Sequence, residues 1–149
     1  MIDLNQSTEN QKRKTKRILI AEPNSDIQYL YSLFTKQYGF SISDVNMVES
    51  GNQCLEIVFS KTAEDDNNNN DYDVIILDTH LPDISGFEVA RKIRNILPHK
   101  KIILTTTYSL DNISNIIDSI GIKSEEVILK PFNFSELFSI LKEPRMSYN

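Results

Sequence analysis

Four short apolar runs in this 149-residue chain each end in side chains that could do chemistry. Ile18-Leu19-Ile20-Ala21 leads into Glu22-Pro23-Asn24, Val74-Ile75-Ile76-Leu77 into Asp78-Thr79-His80, Ile102-Ile103-Leu104 into Thr105-Thr106-Thr107, and Val127-Ile128-Leu129 into Lys130-Pro131-Phe132. A carboxylate can act as a nucleophile or hold a hard cation, hydroxyls donate hydrogen bonds, and a lysine neutralises bound negative charge. Other chemistries are excluded by counting. The four glycines, Gly39, Gly51, Gly86 and Gly121, are never closer than 12 residues, so no glycine-rich nucleotide cradle exists. The lone Cys54 forms no intrachain disulfide, and His80 and His99 alone do not make a tetrahedral zinc site.

These residues need elements to position them. Continuous Val/Ile/Leu runs without polar alternation predict strands covered on both faces, and a weaker run at Val45-Asn46-Met47-Val48 brings the number to five. Longer segments between them carry helical spacing: Ile27, Leu30, Tyr31, Phe34 and Tyr38, then Ile113, Ile116, Ile117 and Ile120. The pairs Ser25/Gln28, Ser50/Gln53, Ser85/Glu88 and Asn133/Glu136 mark helix starts, because the first side chain of each can accept from a first-turn amide. Gly39 and Gly121 stand where two helices end. Strand followed by helix, five times over, predicts an α/β doubly wound parallel sheet with helices on both faces. Ligands bind such sheets beyond the carboxyl ends of the strands. The polar strand ends therefore share one rim.

The length suits one domain, and 40 % hydrophobic with 25 % charged residues is an ordinary globular composition. No run approaches the roughly 18 apolar residues of a membrane span, and the N-terminus has no secretory core. The expectation is a cytoplasmic protein without a membrane partner. The net charge of −5 is uneven: residues 1–17 carry Lys12, Arg13, Lys14, Lys16 and Arg17 against Asp3 and Glu9, which is +3 and leaves −8 elsewhere. We read residues 1–16 as a flexible basic leader, residues 17–142 as the domain and 143–149 as a tail. Glu64 to Asp71, with four consecutive Asn, reads as an exposed loop tip. An acidic domain gives no support to direct nucleic-acid binding. Cys54 reads as a small buried hydrophobe and His99 as a surface loop residue.

The stretch from Asp73 to Glu88, with Asp78, Pro82 and Gly86 inside it, resembles the phosphoacceptor strand, loop and third helix of receiver domains from two-component response regulators. Ile103-Leu104-Thr105-Thr106 is similar to the fourth strand of that family, and Val127-Ile128-Leu129-Lys130-Pro131-Phe132 to its fifth. The likeness runs from about residue 16 to 142, in order and spacing. It implies strand order 2-1-3-4-5. It also implies that Asp78 takes a phosphoryl group from a sensor histidine kinase or phosphotransfer protein, that Lys130 neutralises charge beside it, and that Thr106 bonds a phosphoryl oxygen and moves to signal. The backbone carbonyl of His80, with Asp78 and Glu22, would bind Mg²⁺, and Pro131 takes a position that is cis in the family. The output would be protein binding through the face of helix four, strand five and helix five, which could also pair two copies, because little chain follows residue 142.

Three positions depart from the family pattern. Pro23 stands where the second acid of an acidic pair binds the metal, so one hard ligand is missing and Mg²⁺ affinity should fall. Glu22 and Asn24 could compensate in part. Thr107 replaces a small residue beside the switch hydroxyl, which should slow water attack on an acyl phosphate; a Thr107→Ala variant with an unchanged phosphoryl lifetime would remove that expectation. Val127 replaces the aromatic that usually rotates during switching, leaving Tyr108 as a substitute. Two alternatives stand beside the phosphoacceptor reading. A degenerate receiver would act only as an interaction module, and Pro23 favours it. An aspartyl-phosphate phosphohydrolase would want a second acid where His80 stands.

Overall fold

The computed structural model describes residues 16–60 and 71–141. Five strands, β1 (Ile18–Ala21), β2 (Val45–Val48), β3 (Val74–Asp78), β4 (Lys101–Thr106) and β5 (Val127–Leu129), form one parallel sheet in the order β2-β1-β3-β4-β5. Between and after them run α1 (Ser25–Gln37), α2 (Gly51–Phe59), α3 (Gly86–Ile96), α4 (Leu110–Ile120) and α5 (Phe134–Leu141). Fold class and strand order match the expectation from sequence.

Strand alternation divides the core in two. Leu19, Ala21, Ile75, Leu77, Ile102 and Leu104 face α2, α3 and α4, meeting Cys54, Val89, Ile93, Ile113 and Ile117. Ile18, Ile20, Val74, Ile76, Ile103 and Ile128 face α1 and α5, meeting Tyr31, Leu137, Phe138 and Leu141. Each such aliphatic side chain contributes about 1.5–3 kcal/mol when fully buried. That is why unbroken apolar runs, rather than alternating ones, mark these strands. Burial also pushes the Cys54 thiol up to about 12, so it serves as packing and not as a nucleophile.

The strands reach further than the apolar runs. Asp78 pairs with Thr105 and Thr106 with Leu129, so the ladder carries the polar residues themselves to the rim. The start of α1 corrects one expectation. Asn24, not Ser25, is the cap: its backbone is extended and its Oδ1 accepts from the Ile27 N–H at 3.1 Å. Gln28 is not the reciprocal partner of a Ser25 box, because its Nε2 donates to the Glu22 carbonyl at 2.6 Å. Ser50, Ser85 and Asn133 do accept from the Gln53, Glu88 and Glu136 amides. Gly121 ends α4 in the left-handed region at φ +83°, a conformation glycine adopts without steric cost.

Most of the leader, the Asn-rich stretch and the tail lie outside the described residues. Lys16 is described, and its Nζ donates to the Leu141 carbonyl at the end of α5. Among the described residues, no helix is long and apolar enough to cross a membrane.

Candidate functional site

The carboxyl ends of β1, β3, β4 and β5 bring Glu22, Asp78, Thr106 and Lys130 to the same rim. Glu22 is 1 % exposed, and both its oxygens are engaged. Its Oε1 accepts from Lys130 Nζ at 2.9 Å and its Oε2 from the Asn24 N–H at 3.0 Å. Asp78, 5 % exposed, accepts the His80 N–H on Oδ1 at 2.7 Å and pairs through Oδ2 with Lys130 Nζ. One ammonium therefore bridges two carboxylates.

Burial sets the electrostatics. It raises the Glu22 carboxyl above its ordinary pKa, outweighing the hydrogen bond from Lys130. It works against the charged Lys130, but hydrogen bonds to Asp78 and Glu22 overcome it and hold the ammonium proton more tightly than in free lysine. The lysine is thus a fixed cation at the rim. The Lys130–Pro131 peptide bond is cis.

Thr106 is fully buried, and its Oγ1 accepts from the Thr79 hydroxyl at 2.8 Å and from the Tyr108 N–H at 3.1 Å. Thr107 is exposed. Tyr108, 41 % exposed, lies with its ring 4.8 Å from that of His80 and 6.3 Å from that of Phe87. Val127 is packed in the core on the α2–α4 side. Of the two switch candidates, then, Tyr108 lies at the surface and Val127 does not.

Pro23 is exposed and brings no oxygen ligand inward. Among the described residues no group of three or more His, Cys, Asp or Glu side chains gathers as a metal cluster. The oxygen donors at the rim are the Glu22 and Asp78 carboxylates with backbone carbonyls, a set a hard divalent cation can use with water in its remaining positions.

Four residues of this region make contacts that the sequence reading did not assign to them. Thr79 and Gln28 bond into the site as described. Gly86 is required by close approach, since a Cβ there would collide with the Asp78 carbonyl oxygen. Asp83 accepts from the Gly51, Asn52 and Ile84 amides, each at 2.8 Å, and so ties the loop after β3 to the start of α2. Its pKa is lowered: desolvation, which raises it, is outweighed by the backbone donors acting together. Gly86 and Gln28 carried a sequence signal, as part of the acceptor motif and of a helix-start pair, whereas no role was read for the Thr79 and Asp83 side chains.

Comparison with known proteins agrees with this fold. The family profile of the response regulator receiver domain matches residues 18–142. The cell cycle response regulator CtrA of Brucella ovis is 28 % identical over 123 residues, covering 83 % of this chain and 47 % of that protein. The chain thus spans about half the length of the curated relatives it matches. The response regulator TrrA of Thermotoga maritima, solved in complex with Mg²⁺-BeF, is 32 % identical with a TM-score of 0.68, covering 86 % of this chain and 97 % of that one. A CheY-like receiver domain from Methanospirillum hungatei shares the fold at TM-score 0.70 and 22 % identity, covering 87 % of this chain and 92 % of that one. The chain belongs to the response regulator receiver domain family, whose members are signalling modules of two-component systems.

Proposed function

We propose that Asp78 is the phosphoacceptor of this receiver domain, taking a phosphoryl group from a phosphohistidine of a sensor kinase or phosphotransfer protein and thereby switching its binding to a downstream protein. The observation that carries this reading is the Lys130 ammonium held between Asp78 and Glu22 at the carboxyl rim of the sheet. In the transfer, an Asp78 carboxylate oxygen attacks phosphorus as the imidazole nitrogen leaves. Lys130 is already in contact with the acceptor and can follow the charge onto the phosphoryl oxygens, a preorganised stabilisation that needs no large rearrangement. The buried Thr106 hydroxyl is the neutral donor for those oxygens.

Glu22, Asp78 and the His80 carbonyl are the residues that would hold Mg²⁺. The ion, when bound, supplies further positive charge against the phosphoryl group. The Mg²⁺-BeF complex of the Thermotoga maritima relative supports such a site. Pro23 makes it weaker here, because one acid ligand is replaced by an exposed ring. The same substitution is what favours the second reading, a receiver that binds partners without accepting phosphate.

Incubation with acetyl phosphate and Mg²⁺, followed by intact mass measurement, separates the two. A single phosphoryl adduct that disappears in Asp78→Ala is expected; a protein that never gains the adduct is a degenerate receiver. Omitting Mg²⁺ should reduce the adduct.

A further inference from the structure

Thr79 immediately follows the acceptor, yet its side chain is directed elsewhere. Alternation along β3 and β4 puts Asp78 on the same side as Ile76, facing α1 and α5, and puts Thr79 and Thr106 with Leu77 and Leu104 on the side of α2–α4. There the Thr79 hydroxyl, 3 % exposed, donates to Thr106 Oγ1 at 2.8 Å. The Tyr108 N–H fills the other lone pair of that oxygen at 3.1 Å. The Thr106 hydroxyl is therefore engaged on the face of the sheet opposite to the one that carries the Lys130–Asp78 pair. The main chains on either side are also joined, Thr79 N–H to the Thr105 carbonyl at 3.0 Å and Lys130 N–H to the Thr106 carbonyl at 2.7 Å, so the side chain is the part free to move.

We propose that Thr79 is a positioning residue, a latch whose bond to Thr106 Oγ1 holds that side chain away from Asp78 until a phosphoryl oxygen draws the Thr106 O–H across. The proposal rests on Asp78 being the phosphoacceptor. Reaching a phosphoryl oxygen on Asp78 requires Thr106 to give up the Thr79 bond, so that bond weights the equilibrium toward the unphosphorylated arrangement. Replacing Thr79 by valine keeps the shape and removes the donor. It leaves no orphaned oxygen, because Tyr108 N–H still reaches Thr106 Oγ1.

The test is a titration with beryllofluoride at saturating Mg²⁺, followed by ¹⁹F NMR. Thr79→Val should bind it about 2- to 10-fold more tightly than the wild type, the weight of one neutral hydrogen bond. Thr79→Ser, which restores a hydroxyl, should return to the wild-type affinity. In a Thr106→Val background the Thr79→Val substitution should have no effect, which a merely structural role for Thr79 would not predict. Thermal unfolding of each variant establishes that it is folded, and Thr79→Ala supplies a second hydroxyl-free form if the valine does not fit. Equal or weaker binding by the folded hydroxyl-free variants overturns the latch alone. An equal gain in the Thr106→Val background does the same. Absence of binding by every variant, including the wild type, overturns the phosphoacceptor reading and the latch with it.

Discussion

Two lysines at opposite ends of the sheet use the same ammonium in different ways. Lys130, just past the carboxyl end of β5, faces two ionisable side chains, Asp78 and Glu22. Lys101, at the amino end of β4 and 7 % exposed, donates to the Ile140 carbonyl at 2.6 Å, beside the contact of Lys16 with Leu141. A cation at the end of a helix meets the unpaired carbonyls and the negative pole of its dipole. Backbone carbonyls cannot change charge or leave, so this described bond of Lys101 is a fixed contact at the end of α5. Carboxylates can react, bind a metal or give way to another anion, so Lys130 is a counterion whose partner can be exchanged. Among the described bonds, the two lysines therefore differ in whether the acceptor is main chain or an ionisable side chain.

Lys130→Met should break this contrast most severely. It leaves Glu22 and Asp78 adjacent without their cation, which should lower stability by about 3 kcal/mol and abolish the acetyl phosphate adduct, read by denaturant unfolding and intact mass. Pro23→Asp should sharpen the picture of the rim by adding the missing acid, raising Mg²⁺ affinity by about tenfold in a metal titration; an unchanged affinity would mean that Glu22 and Asn24 already compensate. Lys101→Met should cost only about 1 kcal/mol, the loss of a capping hydrogen bond, and leave phosphoryl uptake unchanged. A loss of uptake there would erase the distinction between the two lysines.

Asp83 offers the mildest test. Its folded pKa is depressed below the ordinary 3.8, so the folded protein binds this proton less readily than the unfolded chain. Its contribution to stability is present above that value and is lost as the pH falls through the folded pKa. Acid unfolding of Asp83→Asn, compared with the wild type, should show a small stability difference near neutrality that disappears at the acid end.

The fold was legible because each of its main features has a local signature. Runs such as Val74–Leu77 are apolar on both faces, the helices carry three- and four-residue spacing, and Ser50 and Ser85 stand where helix starts need an acceptor. The place of the candidate site was legible for a related reason: Asp78 and Lys130 directly follow such runs. The hydrogen bonds that organise the site leave no local trace. Thr79 meets Thr106 across 27 residues and Asp83 meets Asn52 across 31, and nothing in either neighbourhood announces the partner. Asn24 displaced Ser25 as the cap of α1 for a comparable reason, since the Glu22 side chain and carbonyl take up the Asn24 amide and the Gln28 side chain.

The Asp83 clamp also has a mechanical meaning. The segment after Asp78 is anchored at one end by the Gly86 N–H on the Thr79 carbonyl at 3.1 Å and at the other by Asp83 on the α2 amides, which makes it a strut. The segment after Thr106 has no such mooring to a neighbouring helix among the described hydrogen bonds; its Tyr108 N–H reaches only back to Thr106. If Asp78 takes phosphate as proposed, the change there would be carried by a stiff arm on one side and a compliant arm on the other. Displacement would then collect in the compliant arm, where Thr107, Tyr108 and Ser109 already face the solvent.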